Sequence, residues 1–391
     1  MPLNASEAIR NLDIGFTPSL NADKQNRQTQ YDMTALHPIY VLLAKQQPIS
    51  QGLKETSRPS WATMKRCSRP PLRAGISSER RCITDSLHIA AGRSHTGGTA
   101  KDAPIGIFDS GMGGLTVARA IKTLLPHESI LYVGDTKRCP YGVRPAKEIR
   151  SFVRQIGAWL TAQNVKLMVI ACNTATAAAL PLAQRTFGVP VIGVIGPGAR
   201  AAIQASVTGQ IGVIATPLTI ESDAYARAIH QLDAGVNVYS LATPSFVPLV
   251  EKELATGYHL HQDWLEDRDV FLTPDARGTV RAGLGPLLRS DIDTLVLGCT
   301  HFPLLAPAIH EAFGRDLNIV SSAEETAREV AETLARRNQL MGPEAGVRHR
   351  FATTSDDITA FAAAGKFIFG GGLTSIEHID ISELEDLVHE P

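Results

Sequence analysis

Two cysteines in this sequence stand directly after short apolar runs of the kind that form buried strands. Cys172 is followed by Asn173-Thr174, and Cys299 is followed by Thr300-His301. In an open parallel sheet, ligands bind beyond the carboxyl ends of the strands, where loops lead into helix N-termini. Helix N-termini and nearby hydrogen-bond donors lower the pKa of a cysteine thiol. The two thiols are therefore candidate acid/base groups, and their polar neighbours are candidate ligands for a small polar substrate.

The competing interpretation of each cysteine is an inert buried side chain, because a free cysteine packs as a small hydrophobic residue. The polar neighbours argue against it, since burying them beside an inert thiol without partners costs free energy.

A glycine-rich turn follows the first predicted strand and reads Asp109-Ser110-Gly111-Met112-Gly113-Gly114. Its glycines permit a tight turn and the close approach of a ligand to the backbone. Asp109 is a candidate base or orienting group, and a turn or helix N-cap residue is the equal alternative. The spacing matches neither GxGxxG nor GxxxxGK[ST], so the turn predicts neither a dinucleotide site nor a P-loop.

Other segments of the sequence contain further candidate residues. The candidates are Pro140, Tyr141 and Gly142 in a turn-rich loop, the hydroxyl pair Thr216 and Thr219, and Glu251 at the edge of an apolar run. A surface loop, helix capping and a helix surface position explain them when each is taken alone. His259 and His261 form an HxH spacing, but no carboxylate cluster joins them, so no metal site is predicted.

The elements that must position these groups follow from the pattern of apolar residues. From Pro104 onward, short apolar runs alternate with segments of helical spacing, as a parallel sheet covered on both faces requires. The pattern predicts an α/β protein. The predicted strands are Ile105–Phe108, Ile130–Val133, Leu167–Ala171, Val191–Val194, Gly212–Ile214, Val236–Tyr239, Thr294–Leu297 and Asn318–Val320. The similar strand ends at the two cysteines hint at an internal duplication, although the matched segments are too short to prove a repeat.

Composition bounds the class of protein. The 391 residues are 44% hydrophobic, which is enough for the cores of about two to three domains. A net charge of −1 predicts neither nucleic acid nor an anionic membrane as a partner. The chain has no apolar run of about 18 residues and no apolar core near its start, so the cytoplasm is the expected compartment. Five scattered cysteines predict reduced thiols rather than a disulfide scaffold.

Residues 1–103 differ in kind from the rest. They carry 14 Lys and Arg against 8 Asp and Glu and show no sustained hydrophobic period, so we predict a mostly disordered extension. The basic cluster from Lys65 to Arg81 is typical of a solvated charge run, with phosphate contact or a transit receptor as alternatives.

Five motifs in this order carry a resemblance to a known family. They are Phe108–Leu115, Gly134–Gly142, Ala171–Ala175, Phe246–Glu251 and Leu297–His301. Across roughly residues 104–370, the combination resembles the glutamate racemases of the aspartate/glutamate racemase superfamily.

The resemblance implies a cofactor-independent enzyme that interconverts L- and D-glutamate for peptidoglycan. Racemisation removes the α-proton from one face of the substrate and delivers a proton to the other, so a fixed substrate needs an acid/base group on each side. By resemblance, Cys172 abstracts the proton from the D enantiomer and Cys299 from the L enantiomer. Asp109 then assists Cys172, while His301, held by Glu251, assists Cys299.

The resemblance also implies which residues bind the substrate. They are Asp109, Ser110, Pro140, Tyr141, Gly142, Cys172, Asn173, Thr174, Thr216, Thr219, Cys299, Thr300 and His301. No metal and no cofactor is expected. The expected partners are L- and D-glutamate, a second copy of the chain in a homodimer, and a peptidoglycan precursor as an activator; neither nucleic acid nor a membrane is expected.

The fold implied by the resemblance consists of two pseudo-symmetric α/β domains with mainly parallel sheets and the active site in the cleft between them. We assign residues 1–103 to the disordered extension, 104–200 together with 305–375 to the first racemase domain, 201–304 to the second, and 376–391 to a C-terminal tail.

Departures from the family pattern lie outside the predicted catalytic pair. Ser321 stands where the family usually has Asp, and Thr243 replaces a common Cys. Excess length around residues 258–277 predicts a peripheral loop or an extra helix.

Two alternative functions stay open. One is an aspartate racemase of the same superfamily, since one methylene is worth only about 1–3 kcal/mol of discrimination. The other is an inactive protein that binds amino acids.

Overall fold

A computed structural model describes residues 65–67, 101–252, 271–370, 373 and 375–388. The predicted disordered extension lies outside the described residues except for 65–67 and 101–103. His259, His261 and most of the predicted insertion at 258–277 also lie outside them.

The described residues alternate between short strands and helices. The strands are β1 (Lys65–Cys67), β2 (Ile105–Asp109), β3 (Ile130–Gly134), β4 (Leu167–Ile170), β5 (Val191–Gly193), β6 (Gln210–Ala215), β7 (Asn237–Ala242), β8 (Thr294–Gly298), β9 (Asn318–Val320), β10 (Arg350–Thr353) and β11 (Ile376–His378). The helices are α1 (Leu115–Leu124), α2 (Ala146–Ala162), α3 (Asn173–Thr186), α4 (Ile195–Ala205), α5 (Pro217–Glu221), α6 (Ala224–Leu232), α7 (Pro274–Leu284), α8 (Ala306–Phe313), α9 (Ala323–Arg336), α10 (Ile358–Phe369) and α11 (Ile381–Asp386). A further helical segment begins at residue 246 and is described as far as 252.

The strands form two sheets. The first has the order β11-β10-β3-β2-β4-β5, and all its pairings are parallel. The second has the order β1-β7-β6-β8-β9, in which only the pairing of β1 with β7 is antiparallel. The predicted α/β class with mainly parallel sheets is confirmed, and each of the eight predicted strands is present.

The two sheets share an internal strand order. Four neighbouring strands have the order β3-β2-β4-β5 in the first sheet and β7-β6-β8-β9 in the second. In both sheets, the second of the four strands along the chain therefore lies beside the first, which is followed by the third and the fourth. Cys172 follows the third strand of one half, and Cys299 follows the third strand of the other. The short sequence similarity at the two cysteines therefore coincides with equivalent places in two similar sheets.

Two segments lie elsewhere than the predicted domain division placed them. The predicted division places Asn318–Val320 in the first domain, but this strand pairs with β8 in the second sheet. The chain returns to the first half only at α9, which packs on α1. The predicted division places Ile376–His378 in a tail, but this strand pairs with β10 at the edge of the first sheet. Strands this short carry too few residues to reveal their partner from sequence.

The continuous apolar runs follow from burial on both faces. All residues of β2, β3 and β8 are buried, because helices cover each sheet on two sides. Two apolar clusters flank the first sheet, one around Leu115 and one around Trp159. The strands are thereby held rigidly, with their carboxyl ends directed at one cleft. No helix in the described part of the chain is long and apolar enough to span a membrane.

Candidate active site

The carboxyl ends of the two sheets enclose one cavity. It is lined by Ser110, Cys139, Pro140, Tyr141, Gly142, Cys172, Asn173, Thr174, Thr216, Val247, Cys299, Thr300 and His301. The space between the atoms is about 310 Å³, including the part that is open to solvent. Both cysteines predicted to act as acid/base groups therefore border the same cavity, each from its own sheet.

The structure brings the residues of the predicted site together. Eleven of the predicted residues line the cavity, and the other three contact the lining or the turns that carry it: Asp109, Thr219 and Glu251. Sequence reasoning missed two lining residues, Cys139 and Val247. Their only sequence signal was membership in segments already singled out, because the direction of a loop side chain depends on tertiary packing.

Cys172 is held at the start of α3. Its Sγ accepts a hydrogen bond from the Ala175 backbone N–H at 3.5 Å, and its thiol lies 3.8 Å from the Ser110 hydroxyl oxygen. Burial, together with the negative charge of Asp109, raises the pKa of the Cys172 thiol to about 12. The thiol is therefore neutral near pH 7, and its conjugate thiolate is a strong base.

Asp109 lies at the end of β2 and is completely buried. Its Oδ2 accepts hydrogen bonds from the backbone N–H groups of Gly111 at 3.1 Å and Gly114 at 3.0 Å. Its Oδ1 has no hydrogen-bond partner among the described residues. Burial raises the pKa of this carboxyl, against the opposing effects of His301 and the backbone donors. A carboxyl group in this state can hold or release a proton beside Cys172.

Cys299 belongs to a chain of polar contacts in the second half. Its Sγ lies 3.8 Å from His301 Nδ1, and His301 Nε2 lies 3.3 Å from Oε1 of Glu251. Burial of His301 opposes its charged form, but Cys299 and Glu251 outweigh burial and raise the pKa of the imidazole well above its ordinary value. Burial of Glu251 likewise opposes charge, but His301 and Cys139 lower the pKa of its carboxyl. An imidazolium beside Cys299 stabilises negative charge on its sulfur.

Three buried hydroxyl groups form a cluster between α3 and α5. Thr174 Oγ1 lies 2.9 Å from that of Thr216 and 3.4 Å from that of Thr219, and the latter two lie 3.0 Å apart. Thr174 and Thr216 also line the cavity. Hydroxyl groups beside the N-terminus of a helix such as α3 suit a carboxylate ligand, because hydroxyls and backbone N–H groups both donate and the helix dipole attracts negative charge.

A buried charged cluster supports the cavity wall that carries Tyr141. Asp135 Oδ2 accepts hydrogen bonds from the Tyr141 hydroxyl and from Arg138 Nε, the latter at 2.7 Å. Thr354 donates to the other carboxylate oxygen at 2.9 Å. Arg138 also donates to Gln155 at 2.5 Å. Tyr141 is thus fixed from behind, while its loop borders the cavity.

Two similar α/β halves each contribute a buried thiol to one polar cavity, and this arrangement fits a racemase, which is an isomerase. Comparison with known proteins agrees: the Asp/Glu/Hydantoin racemase family model matches residues 114–330. The chain belongs to this family.

Individual relatives share most of their length with this chain. A glutamate racemase from Exiguobacterium sibiricum is 50% identical over 230 residues, which are 59% of this chain and 79% of the relative. The crystal structure of a glutamate racemase isoform from Bacillus anthracis is 43% identical, covers 72% of this chain and 98% of its own, and superposes with a TM-score of 0.64. The Escherichia coli glutamate racemase, solved with L-glutamate and the activator UDP-MurNAc-ala, is 27% identical, covers 71% of this chain and 98% of its own, and has a TM-score of 0.56.

Proposed function

We propose that this racemase interconverts L- and D-glutamate without a cofactor, through the two thiols Cys172 and Cys299. The observation that carries the proposal is that both thiols border one cavity, although they follow strands of two different sheets. A two-base racemase needs acid/base groups that reach one substrate from two directions. The names of the relatives support glutamate as the substrate.

The neighbours of the two thiols suit the reaction. The imidazole of His301, whose pKa is raised, lies 3.8 Å from the sulfur of Cys299, whereas burial and the charge of Asp109 raise the pKa of the Cys172 thiol. The thiolate of Cys299 takes the α-proton of L-glutamate, and the electron pair of the broken C–H bond stays on the α-carbon and its carboxylate. The thiol of Cys172 then donates its proton to the opposite face, which yields D-glutamate. The site ends with Cys299 protonated and Cys172 charged, ready for the reverse reaction or for proton exchange with solvent.

Stabilisation of the carbanion must come from the protein. The α-proton of an amino acid is a very weak acid, so fixed donors and the exclusion of water have to lower the barrier. We assign a carboxylate of the substrate to the cluster of Thr174, Thr216 and Thr219 and to the start of α3. The buried lining of the cavity supports this assignment, because electrostatic interactions strengthen when water is excluded.

The wider role follows from the same proposal. D-glutamate is a building block of peptidoglycan, so the enzyme would serve cell-wall synthesis. We further propose that the chain acts as a homodimer, which mass photometry tests. A peptidoglycan precursor is a candidate activator, because the Escherichia coli relative was solved with UDP-MurNAc-ala.

The decisive experiment incubates the purified protein with L-glutamate, and separately with D-glutamate, in deuterated water without pyridoxal phosphate. We expect circular dichroism to decay to zero from both enantiomers, with deuterium at the α-carbon by mass spectrometry. Cys172→Ala and Cys299→Ala should each lower racemisation at least about 10³-fold while they leave the far-ultraviolet spectrum unchanged.

The controls separate the alternatives. Aspartate is tested in parallel, and every reaction is repeated with the activator of the Escherichia coli relative. Preferred turnover of aspartate would make the chain an aspartate racemase. Binding of glutamate without exchange from either enantiomer would make it a binding protein, and full activity in either cysteine variant would refute the two-thiol mechanism.

A further inference from the structure

A third cysteine, Cys139, borders the cavity and contacts the opposite half of the molecule. It lies in the loop after β3 in the first half, next to Pro140. Its thiol donates a hydrogen bond to Oε1 of Glu251 at 3.8 Å. Glu251 lies in the helical segment 246–252, which packs in the second half. The contact therefore crosses the cleft.

The accepting oxygen of Glu251 is also the one that faces His301. His301 Nε2 lies 3.3 Å from Oε1, and His301 Nδ1 lies 3.8 Å from Sγ of Cys299. Cys139, Glu251, His301 and Cys299 thus form a continuous series of polar contacts. The side chain of Glu251 is 42% exposed, so its position depends on its polar contacts as well as on packing.

Cys139 suits the role of a hydrogen-bond donor and not that of a base. Burial and the negative charges of Glu251, Asp109 and Cys172 raise the pKa of its thiol well above the ordinary value, and a hydrogen bond with Ser110 opposes them. A group that stays protonated can donate to Glu251 throughout the range in which the carboxyl is charged. Its packing is close as well, since a Cβ added to Gly111 would lie 3.4 Å from the Cys139 sulfur.

We propose that Cys139 is a positioning residue: its thiol holds Oε1 of Glu251 in place, and the carboxylate in turn keeps His301 against Cys299. The inference rests on the proposed two-thiol racemisation. It assigns to a residue of the first half a role in proton transfer at the cysteine of the second half. The step at Cys172 does not depend on this series of contacts.

The test compares Cys139→Ala with Cys139→Ser. The two replacements are similar in size, but only serine keeps a donor. Lys137→Ala is the control, because Lys137 lies in the same loop and is bound to the exposed Asp356, away from the cavity. We expect Cys139→Ala to lower kcat about tenfold, the size of losing one hydrogen bond to a charged group. Cys139→Ser should recover most of that loss, and Lys137→Ala should match the parent.

Isotope effects distinguish a positioning role from a merely structural one. L-glutamate and D-glutamate, each deuterated at the α-carbon, report on proton removal by Cys299 and by Cys172, respectively. If Cys139 acts through His301, the step at Cys299 becomes slower in Cys139→Ala. The isotope effect should then grow with the L substrate and shrink with the D substrate. Equal changes in both isotope effects, or an unchanged kcat, would overturn the proposal.

A second readout works without turnover. The rate at which iodoacetamide alkylates each cysteine is measured by peptide mass spectrometry in the absence of substrate. Cys139→Ala should slow alkylation of Cys299 severalfold and leave that of Cys172 unchanged, because His301 is no longer held beside Cys299. If the parent protein does not racemise glutamate, the proposed function fails, yet this comparison still decides whether Cys139 positions the His301 side of the site.

Discussion

Individual side chains give the two cysteines different surroundings. Cys172 is buried beside the carboxyl of Asp109, whereas Cys299 lies beside the imidazole of His301, whose pKa is raised by its contacts with Cys299 and Glu251. The group beside Cys172 is a carboxyl and the group beside Cys299 is an imidazole, so the two thiols meet opposite charges. The asymmetry arises from single residues, although the sheets around them are alike.

Asp109→Asn should separate activity from stability. Asparagine can still accept the hydrogen bonds from Gly111 and Gly114 through its carbonyl oxygen, but it removes a buried ionisable group. We expect kcat to fall about 10²-fold, because the variant loses the proposed acid/base group beside Cys172. The free energy of unfolding should rise by about 1 kcal/mol at pH 8. Enzyme kinetics and urea denaturation measure the two effects.

The gain in stability from Asp109→Asn should depend on pH in a defined direction. The pKa of Asp109 in the folded protein lies above the ordinary value of 3.8. The carboxyl is therefore protonated in both the folded and the unfolded chain only when the pH is below 3.8. Above it the unfolded chain ionises first, and the parent protein loses stability relative to the variant. Asp233→Asn is the control, because this exposed carboxylate also accepts a hydrogen bond from a backbone N–H two residues further along the chain, that of Gly235. A gain that is larger at pH 5 than at pH 8 would contradict this assignment.

At the scale of elements, the segment between β3 and α2 forms one wall of the cavity, although it contains neither an α-helix nor a strand. Two short 3₁₀ turns, Thr136–Arg138 and Tyr141–Val143, make up most of it. Its shape depends on Asp135, which binds Arg138 and Tyr141 at one oxygen and Thr354 at the other. A loop supported in this way can present Tyr141 and Gly142 to a substrate with little motion.

Asp135→Asn should weaken both the fold and the site. The change leaves the guanidinium of Arg138 buried without its ion pair, which costs about 3 kcal/mol of the free energy of unfolding. The loosened loop should lower kcat/KM for glutamate about tenfold. Thermal denaturation and steady-state kinetics are the measurements.

The chain offers a matched control for Asp135→Asn. Asp356 pairs at 3.0 Å with Lys137, the neighbour of Arg138 in the same loop, but both partners are exposed. Exposed ion pairs contribute little, so Asp356→Asn should leave the melting temperature and kcat/KM unchanged. Similar losses in the two variants would mean that charge near the loop matters rather than the buried cluster.

At the scale of the whole molecule, the two halves meet so closely that side chains are excluded at the contact. A Cβ added to Gly142 in the first half would lie 2.6 Å from Cβ of Thr216 in the second. A Cβ added to Gly113 would lie 2.7 Å from Nδ1 of His301. Both contacts border the cavity or its flanking turn, so the absence of a side chain at these positions allows the halves to close over the site.

Gly142→Ala should hold the halves apart. Because the added methyl group collides with Thr216, the closed arrangement is disfavoured, and kcat/KM for glutamate should fall about 10²-fold. Each half keeps its own core, so the melting temperature should change little. Gly188→Ala, at a glycine with open space around it, should change neither quantity. A loss of stability without a loss of activity would show that the contact serves the fold alone.

The sequence by itself determined the elements and singled out the two thiols of the proposed acid/base pair. Strands buried on both faces need continuous apolar runs, so β2, β4 and β8 were visible without a structure. Cys172 and Cys299 were visible because they directly follow such runs, and the strand end is where a parallel sheet presents ligands. The ordered motifs from Phe108 to His301 carried the family resemblance, which the comparisons bear out.

Only the tertiary structure decided which groups meet. Cys139 and Glu251 are 112 residues apart in the chain, and their contact depends on how the two sheets face each other. The membership of Asn318–Val320 in the second sheet was likewise decided by pairing with β8, since three residues cannot specify a partner. The amino-acid sequence shows which local elements form, whereas the burial of each side chain and the contacts across the cleft depend on the folded chain. The asymmetry between the two thiols therefore exists only once the chain has folded.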